Sequence, residues 1–303
     1  MKALVTGGSG YLGKNLIKEL LRRDIETISY DICSPSSDVV LDNKQFSHVD
    51  GDILDFENLV SAMEGCDYVF HTAALANLDE TLSMPTETME VNVVGTAKCL
   101  KAAYNAGIKR FVFASTVYAS GNHGSFYRIS KQAGESLCNS YFDEFGLEYT
   151  IVRYGSLYGN EANHWNFLYT VCKELLKKGE FTYGGSTDAV REYIHILDAS
   201  RETANIAQND NYANKCVMIS GHQRMAIKDL FDIITEIVDN DVVIHYSPKE
   251  IERHYVKTPY SLNTDIPVRI NHPHYIDISE GILGCLKEVQ KEILREAEYE
   301  NEL

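Results

Sequence analysis

Hydrophobic positions follow two alternating patterns along the first half of the chain. Short runs of β-branched and aromatic residues predict buried strands at 2–6, 26–30, 46–49, 67–72, 110–114 and 148–153. Between them, apolar residues at helical spacing, such as Leu12, Leu16 and Leu20, predict amphipathic helices. Strands that alternate with helices in this order form a parallel sheet covered on both faces. The pattern therefore predicts an α/β fold, a doubly wound parallel sheet, through about residue 155.

The second half of the chain has a less regular pattern. We expect it to form a smaller mixed domain at 156–303 that binds substrate, next to a first domain at 1–155. A segment near 187–209 is expected to return to the first domain. The predicted elements of this half are a strand at 192–196 and helices at 167–178, 227–238 and 284–303.

Charge limits the classes of partner. The 303 residues suffice for about two domains at roughly 150 residues each. They include 28 Lys and Arg against 44 Asp and Glu, a formal net charge of −16. A surface this acidic repels phosphate backbones and anionic lipids, so we expect neither nucleic acid nor a membrane as a partner. No apolar run approaches the ~18 residues of a spanning helix, and the first residues do not resemble a signal peptide.

Cysteine usage indicates the redox compartment. The seven cysteines are odd in number and widely scattered, with no Cys-x-x-Cys pair. This spacing argues against a zinc ribbon and against a thioredoxin-like centre. We therefore expect a reduced, cytoplasmic protein without a metal site.

A glycine-rich turn follows the first predicted strand and opens the first predicted helix. Gly7, Gly10 and Gly13 allow a tight turn, a close approach to a pyrophosphate and close packing of the helix on the sheet. Asp31 ends the second strand, 21 residues after Gly10, where an acid binds the adenosine ribose hydroxyls. Because a carboxylate there repels a 2′-phosphate, this pattern predicts a dinucleotide site that prefers NAD to NADP.

A tyrosine and a lysine one helical turn apart are candidates for proton transfer. Lys131 lies in a predicted helix at 129–145, and Tyr127 comes just before it. Their spacing of four residues places both on the same helix face. A tyrosine with a pKa near 10 is a poor base at neutral pH. A neighbouring cation stabilises the phenolate and lowers that pKa. The same spacing recurs at Tyr169 and Lys173, which we interpret as an amphipathic helix face.

The position of the first tyrosine–lysine pair distinguishes it from the second. Tyr127 follows the fifth strand, which ends at Ser115 and Thr116. Ligands of open α/β sheets bind outside the carboxyl ends of the strands. These hydroxyls and Tyr127 are therefore expected to share one cleft, with a hydroxyl as second donor to a substrate oxygen. Capping of the strand end is the alternative role for the hydroxyls.

Together these motifs resemble the extended short-chain dehydrogenases/reductases, specifically the NAD-dependent nucleotide-sugar epimerase/dehydratase family, which includes UDP-galactose 4-epimerase. The similarity runs almost end to end and implies a Rossmann-type sheet with a smaller substrate domain. Besides the glycine turn and the tyrosine–lysine pair, further segments follow the family's order. They are residues 51–53, 71–74, 91–96, 113–116, 153–159 and 191–195.

The resemblance implies a set of cofactor-binding residues. Asp31 and two residues after the third strand would bind the adenosine half of NAD. Asn92 would brace the chain near the nicotinamide, Lys131 would hold the nicotinamide ribose, and Tyr154 would close over the cofactor. The full expected set is Gly7, Gly10, Tyr11, Leu12, Gly13, Asp31, Asp52, Ile53, Ala73, Ala74, Leu75, Asn92, Tyr127, Lys131 and Tyr154.

The resemblance also implies the chemistry. The expected catalytic residues are Thr116, Tyr127 and Lys131: the threonine would bond to the reacting sugar oxygen while the tyrosine takes or returns its proton. Arg191 would bind the nucleotide diphosphate, since a planar guanidinium suits paired phosphate oxygens. His195 is expected to be a hydrogen-bonded strand residue with no catalytic role.

Three departures from the family pattern bear on the substrate. Thr116 is followed by Val117 and Tyr118, where the 4,6-dehydratases usually carry Asp-Glu. Without that acid–base pair, elimination of water from the sugar has no obvious catalyst. Ser156 stands where many members have an asparagine that reaches the diphosphate. Only ten residues separate Thr116 from Tyr127, which is a short loop for the family.

The expected activity is an NAD-dependent nucleotide-sugar epimerase that acts through a keto-sugar. One alternative is a nucleotide-sugar reductase or dehydrogenase with net redox change, and another is a non-catalytic NAD-binding sensor. We also expect a homodimer through the predicted helices at 85–106 and 129–145, because both carry apolar residues beyond those that the sheet can cover. These residues are Val91, Val93, Val94, Leu100, Leu137, Tyr141, Phe142 and Phe145.

Overall fold

A seven-stranded parallel sheet forms the centre of the molecule. The computed structural model describes residues 1–35, 43–159, 161–163, 165–220, 224–238, 242–247 and 256. In chain order the strands of the sheet are β1 (Lys2–Thr6), β2 (Glu26–Asp31), β3 (Phe46–Asp50), β4 (Tyr68–His71), β5 (Arg110–Thr116), β6 (Tyr149–Tyr154) and β10 (Lys215–Ile219). Their spatial order is β10-β6-β5-β4-β1-β2-β3. The predicted doubly wound α/β fold is therefore confirmed.

Six of the seven strands match predicted ones to within two residues at either end. The seventh, β10, was not predicted. It pairs in parallel with β6, with Cys216 opposite Ile151. As the edge strand it has only one neighbour, and three of its five residues are exposed. The buried apolar run that identified the other strands is therefore missing from it.

Helices cover both faces of the sheet. The first α-helices are α1 (Tyr11–Arg22), α2 (Phe56–Met63), α3 (Leu78–Ser83), α4 (Pro85–Met89), α5 (Thr96–Asn105) and α6 (Ser125–Phe145). The later ones are α7 (Phe167–Lys178), α8 (Ile196–Ala207) and α9 (Ile227–Val238). One core cluster joins α2, α5 and α6 to one face of the sheet, through side chains such as Leu59, Leu100 and Cys138. A second cluster joins α1 and α8 to the other face, through Leu16, Ile17 and Ala204.

The predicted continuous helix at 85–106 is wrong in its middle. A π-helical segment, Glu90–Gly95, separates α4 from α5. The wider π turn is a local insertion that apolar spacing cannot reveal, and such segments often occur at functional sites. Gly95 lets this segment lie directly on the side chain of Ile53, because a Cβ at Gly95 would come within 2.6 Å of the Ile53 Cδ1 atom.

The second half of the chain forms two small sheets and then returns to the large one. β7 (Ser156–Tyr158), β9 (Val190–His195) and β11 (Arg224–Ala226) make one small sheet, and β8 (Glu180–Tyr183) pairs with β12 (Val243–Tyr246). α8 then packs on α1, and β10 completes the large sheet. The boundary at residue 155 stays a prediction, and the predicted helix at 284–303 lies outside the described residues. None of the described helices is long and apolar enough to cross a membrane.

Candidate active site

A cleft of about 600 Å³ opens at the carboxyl ends of β1, β4 and β5. The glycine loop lines one end of it, and residues of α6 and α7 line the other. Tyr127, Lys131 and Thr116 all face this space. The structure thus brings the predicted cofactor loop and the predicted catalytic side chains into one cleft, as expected for an open parallel sheet.

The glycine loop is shaped by close backbone contacts. Gly7 has a φ of 69°, and a Cβ there would lie 2.6 Å from the Ala73 amide nitrogen. A Cβ at Gly13 would lie 2.1 Å from the Gly7 carbonyl oxygen. Gly10 precedes α1 with no side chain bonded to the first-turn amides, which stay available to an anion. The Tyr11 hydroxyl is buried without a hydrogen-bond partner among the described residues.

Asp31 is held at the end of β2 by two backbone amides. Its Oδ2 atom accepts a hydrogen bond from the Ser9 amide at 3.0 Å, and its Oδ1 atom accepts one from the Cys33 amide at 2.9 Å. Each oxygen keeps a further acceptor site for a ribose hydroxyl. With the uncapped helix start, this fixed carboxylate fits the adenosine and pyrophosphate groups of NAD.

Some of the remaining expected cofactor residues line the cleft, and the others pack in the core around it. Leu12, Ala74 and Tyr154 line the cleft, although the Tyr154 hydroxyl lies 2.7 Å from the Thr203 hydroxyl and is thereby held in the core. Ala73 packs on the core next to the glycine loop. Asp52 and Ile53 follow β3. The Asp52 carbonyl accepts a bond from the Tyr30 hydroxyl at 2.9 Å, and Ile53 is buried.

Asn92 connects the π-helical segment to two parts of the site. Its amide oxygen accepts a bond from the Leu75 amide at 2.8 Å, and its amide nitrogen donates to the Leu75 carbonyl at 2.9 Å. The same nitrogen donates to the Ser130 hydroxyl at 3.0 Å. Because Ser130 precedes Lys131, Asn92 connects the loop after β4 to α6. Asn92 therefore supports the walls of the cleft, and its bracing role near the nicotinamide stays a prediction.

Lys131 lies deep under the cleft on α6 and is only 3% exposed. Its ammonium donates to the Ala114 carbonyl at 2.8 Å and lies 5.9 Å from the centre of the Tyr127 ring. Burial lowers the pKa of Lys131 to about 8, against the opposing effects of Glu135 and Cys138, which raise it. The carboxylate of Glu135 therefore helps to keep this ammonium charged at neutral pH.

Tyr127 is partly buried against Thr116. Burial raises the pKa of Tyr127 to about 12, and its hydrogen bond with Thr116 acts in the opposite direction. The Thr116 Oγ1 atom also accepts a bond from the Tyr118 amide at 3.3 Å. Since that bond uses a lone pair, the hydroxyl proton of Thr116 can be donated to the phenolic oxygen or to a ligand oxygen between them.

The two other hydroxyl candidates are placed differently. Ser115 lies beside Thr116, but its hydroxyl donates to the Glu135 carboxylate. Tyr169 is 40% exposed at the start of α7, and Lys173 lies 5.5 Å from its ring centre, which agrees with a helix-face pair. Ser115 lines the cleft beside Thr116, whereas Tyr169 is not among the described residues that line it.

A second cavity of about 410 Å³ adjoins the cleft and contains both predicted diphosphate residues, Ser156 and Arg191. Its walls are rich in aromatic side chains, including Phe181 and Tyr183. Five residues line both spaces and so mark the junction: Tyr118, Leu157, Trp165, Asn166 and Phe167. His195 lies outside both, where its Nδ1 atom accepts a bond from the Leu197 amide at 3.3 Å and caps α8.

Sequence reasoning missed two groups of residues at this site. One is the aromatic junction, where Trp165 and Phe167 gave no pattern beyond a helix start. The other is the partly buried ion pair between Glu135 on α6 and Arg153 on β6. A glutamate four residues after Lys131 on the same helix face was the available signal. Within the described ranges, no three His, Cys, Asp or Glu side chains cluster as metal ligands.

Fold and site together define an NAD-dependent enzyme of the short-chain dehydrogenase/reductase type. The chain belongs to the NAD dependent epimerase/dehydratase family, whose sequence profile matches residues 3–218. It is 26% identical over 300 residues to a putative UDP-glucose 4-epimerase of Methanocaldococcus jannaschii, covering 92% of this chain and 95% of that protein. It is 24% identical over 272 residues to an uncharacterized UDP-glucose epimerase of Bacillus subtilis, covering 82% and 86%.

Solved structures show the same architecture. A UDP-glucose 4-epimerase from Thermotoga maritima with UDP-glucose has a TM-score of 0.76 at 25% identity, covering 85% of this chain and 89% of that one. A dTDP-glucose 4,6-dehydratase from Streptomyces venezuelae, solved with NAD bound, has the same score and identity, covering 85% and 87%. The family and cofactor expected from the motifs are therefore confirmed, whereas epimerases and dehydratases are both among the relatives.

Proposed function

We propose that this protein is a nucleotide-sugar epimerase that inverts one sugar carbon through a keto-sugar. The observation that carries the proposal is the placement of Tyr127, Thr116 and Lys131 in one cleft with the glycine loop. NAD, held by the glycine loop and Asp31, would supply the redox chemistry, which is hydride transfer from the sugar carbon and back to it. The protein's residues supply binding, orientation and proton transfer.

The proton moves between the sugar hydroxyl and Tyr127. Thr116 donates a hydrogen bond to the reacting oxygen and orients it toward the phenol. The phenolate of Tyr127 takes the hydroxyl proton as the carbon is oxidised and returns it when the carbon is reduced. Lys131 stabilises that phenolate by its charge. Because burial raises the pKa of Tyr127 to about 12, the phenolate needs such a charge to form near neutral pH.

Dehydration is less well supported than epimerisation. Loss of water from the sugar needs an acid and a base beside the ring, and the residue after Thr116 is Val117, which is buried. Next comes Tyr118, at the junction of the two cavities. Asp79 on α3 is the only carboxylate among the described residues that line the cleft. This arrangement favours a reaction in which Tyr127 is the acid/base group.

The second cavity supports a nucleoside diphosphate as the non-reacting part of the substrate. Arg191 supplies the cation for a diphosphate, and Ser156 supplies a hydroxyl. Aromatic walls suit the flat face of a base. Because the two cavities meet at Tyr118 and Trp165, a sugar at this junction reaches Tyr127 while its nucleotide lies in the second cavity. UDP-glucose, bound by the Thermotoga maritima relative, is the first substrate to test.

A panel of UDP-, GDP-, CDP- and dTDP-sugars, incubated with purified protein and followed by NMR, tests the proposal. Epimerised product without net formation of NADH is the expected result, with Tyr127→Phe as the inactive control. One NADH per sugar would favour the dehydrogenase alternative. NAD binding with no turnover of any sugar would favour the sensor alternative.

We also propose a homodimer, with the cytoplasm as its location. Leu100 is fully buried, and Val91, Leu137 and Tyr141 pack against the core, so these four of the eight apolar residues are explained by the sheet. Exposed apolar residues remain on α5, α6 and the π segment, and the rings of Tyr104 and Phe145 lie tilted against each other with centres 5.2 Å apart. These exposed residues are Val94, Tyr104, Ile129, Phe142 and Phe145. Apolar residues exposed on two neighbouring helices suit a two-fold axis.

A further inference from the structure

An ion pair lies beneath the catalytic residues. The Glu135 carboxylate is one helical turn beyond Lys131 on α6 and is only 8% exposed. Arg153 on β6 donates to both of its oxygens, from Nε at 2.8 Å and from Nη2 at 2.6 Å. The Ser115 hydroxyl donates to it as well. Buried carboxylates are stable only when paired in this way, so these bonds hold the Glu135 carboxylate in place.

The pair connects the three segments that carry the catalytic groups. Ser115 precedes Thr116 at the end of β5, and Ser115 and Arg153 are opposite each other in the β5–β6 register. Arg153 also donates to the Ser120 hydroxyl at 2.8 Å, in the turn that follows Thr116. Glu135 itself lies on the helix of Tyr127 and Lys131. A change at this carboxylate therefore reaches both sides of the cleft.

The surroundings of the Lys131 ammonium include few charges. On its own helix, Tyr127, Glu135 and Cys138 face it, and burial raises the pKa of the Cys138 thiol. From β4, His71 faces it, and burial lowers the pKa of His71 to about 3, so this imidazole is neutral. The negative charge near Lys131 among these groups is therefore that of Glu135.

The surroundings of Glu135 are also defined. From β6 the Arg153 guanidinium binds it, and from β5 the Ser115 hydroxyl does. From β10, the Cys216 thiol faces this pair, and burial raises the pKa of that thiol, which keeps it neutral. Lys131 is consequently between two opposite influences, since burial destabilises its charge and the carboxylate of Glu135 stabilises it.

We propose that Glu135, bound by Arg153 and Ser115, is a positioning residue that keeps Lys131 an ammonium under Tyr127. It acts through Lys131 and touches neither the expected substrate space nor the cofactor loop. The inference rests on the proposed function, because it assigns the ammonium to the stabilisation of a Tyr127 phenolate. The inference adds the Glu135 carboxylate as the group that sets the pH range in which Lys131 can stabilise the Tyr127 phenolate.

The titration of Lys131, followed by NMR in protein labelled with ¹³C at the lysine ε-carbon, tests this role without any substrate. Lys131→Met identifies the signal. Glu135→Gln should move the titration to lower pH by about one unit, the scale of losing one neighbouring opposite charge. A purely structural role predicts no such shift.

A matched control is available at the other end of the same two strands. Glu148 accepts a bond from Arg110 at 3.2 Å, so Glu148→Gln removes one carboxylate from a similar pair far from Lys131. It should leave the Lys131 titration unchanged. Glu135→Asp keeps the charge and should shift the titration less than Glu135→Gln. If Glu135→Gln does not fold, the double variant Glu135→Met with Arg153→Met, which leaves no unpaired buried charge, should show the same downward shift.

The pH dependence of kcat for the sugar that the wild type epimerises gives the catalytic consequence. Activity needs protonated Lys131, so the alkaline limb of the profile should move to lower pH in Glu135→Gln and stay in place in Glu148→Gln. An unchanged Lys131 titration in Glu135→Gln, or a shift to higher pH, would overturn the positioning role. A wild type inactive on every sugar would instead refute the proposed function, while the NMR titration would still decide the role of Glu135.

Discussion

The Ser115 hydroxyl donates to the Glu135 carboxylate, although it lies one residue from Thr116 at the mouth of the cleft. Ser115 is thereby committed to the support of the site. Thr116, whose oxygen accepts from the Tyr118 amide, keeps its proton for the phenol of Tyr127 or for a ligand oxygen. Two adjacent hydroxyls at the end of β5 therefore have different roles.

This difference predicts different effects of removing each hydroxyl. Thr116→Val keeps the shape of the side chain but removes the donor to the reacting oxygen. We expect kcat to fall by roughly 10²-fold, the scale of losing one well-placed donor, with little change in NAD affinity. Ser115→Ala should cost less in kcat. Steady-state kinetics on both variants checks the order, and a larger loss in Ser115→Ala would contradict it.

The tyrosine prediction uses the second Tyr-x-x-x-Lys motif as its control. Tyr127→Phe removes the acid/base group and retains the ring, so kcat should fall by roughly 10²-fold or more. Calorimetry should show that NAD still binds. Tyr169→Phe, on the exposed face of α7, should have activity near that of the wild type. A fall in Tyr169→Phe with normal activity in Tyr127→Phe would show that the wrong motif was chosen.

Asp31 is predicted to set cofactor choice. Its two oxygens are fixed by the Ser9 and Cys33 amides and are suited to ribose hydroxyls. Asp31→Ser should weaken NAD binding. It should also reduce the ratio of NAD affinity to NADP affinity, because the 2′-phosphate of NADP no longer lies next to a carboxylate. Asp229→Asn, an exposed acid on α9, serves as the control. Equal calorimetric affinity of the wild type for NAD and NADP would contradict the assignment.

The assembly prediction concerns the exposed aromatic pair of α5 and α6. Light scattering at micromolar concentration should report about twice the chain mass of 34.1 kDa. Phe145→Glu introduces a charge into this pair at a position that is 53% exposed, so it should yield monomers that remain folded. Leu197→Glu, at a position 55% exposed on α8, should leave the dimer intact. A wild-type monomer at all concentrations would refute the dimer.

Buried apolar runs and turn chemistry made much of the fold predictable. The positions of six strands along the chain follow from periodicity, and Gly7 and Gly13 mark a turn whose close backbone contacts leave no room for a side chain. β10 was missed because an edge strand lacks the two-sided burial that the pattern detects. The π segment was missed because one inserted residue changes helix register without changing composition.

Site residues could be predicted only where their spacing in the chain or the order of motifs indicated that they lie close together. Tyr127 and Lys131 share a helix face, so their spacing in the chain predicts their proximity. Glu135 and Arg153 come from α6 and β6, and only the packing of that helix on the sheet brings them together. The aromatic junction at Trp165 arises in the same way, because residues of two separate segments meet there.

We propose above all that one bound NAD would take the hydride from the inverted carbon and return the same hydride to it, with Tyr127 as the acid/base group. The most direct test is proton NMR of the product formed in D₂O from the nucleotide sugar that the panel identifies. Return of the same hydrogen predicts that protium is retained at the inverted carbon, with no epimer formed by Tyr127→Phe beyond roughly a hundredth of the wild-type rate. Deuterium at that carbon, or full activity in Tyr127→Phe, would contradict the account.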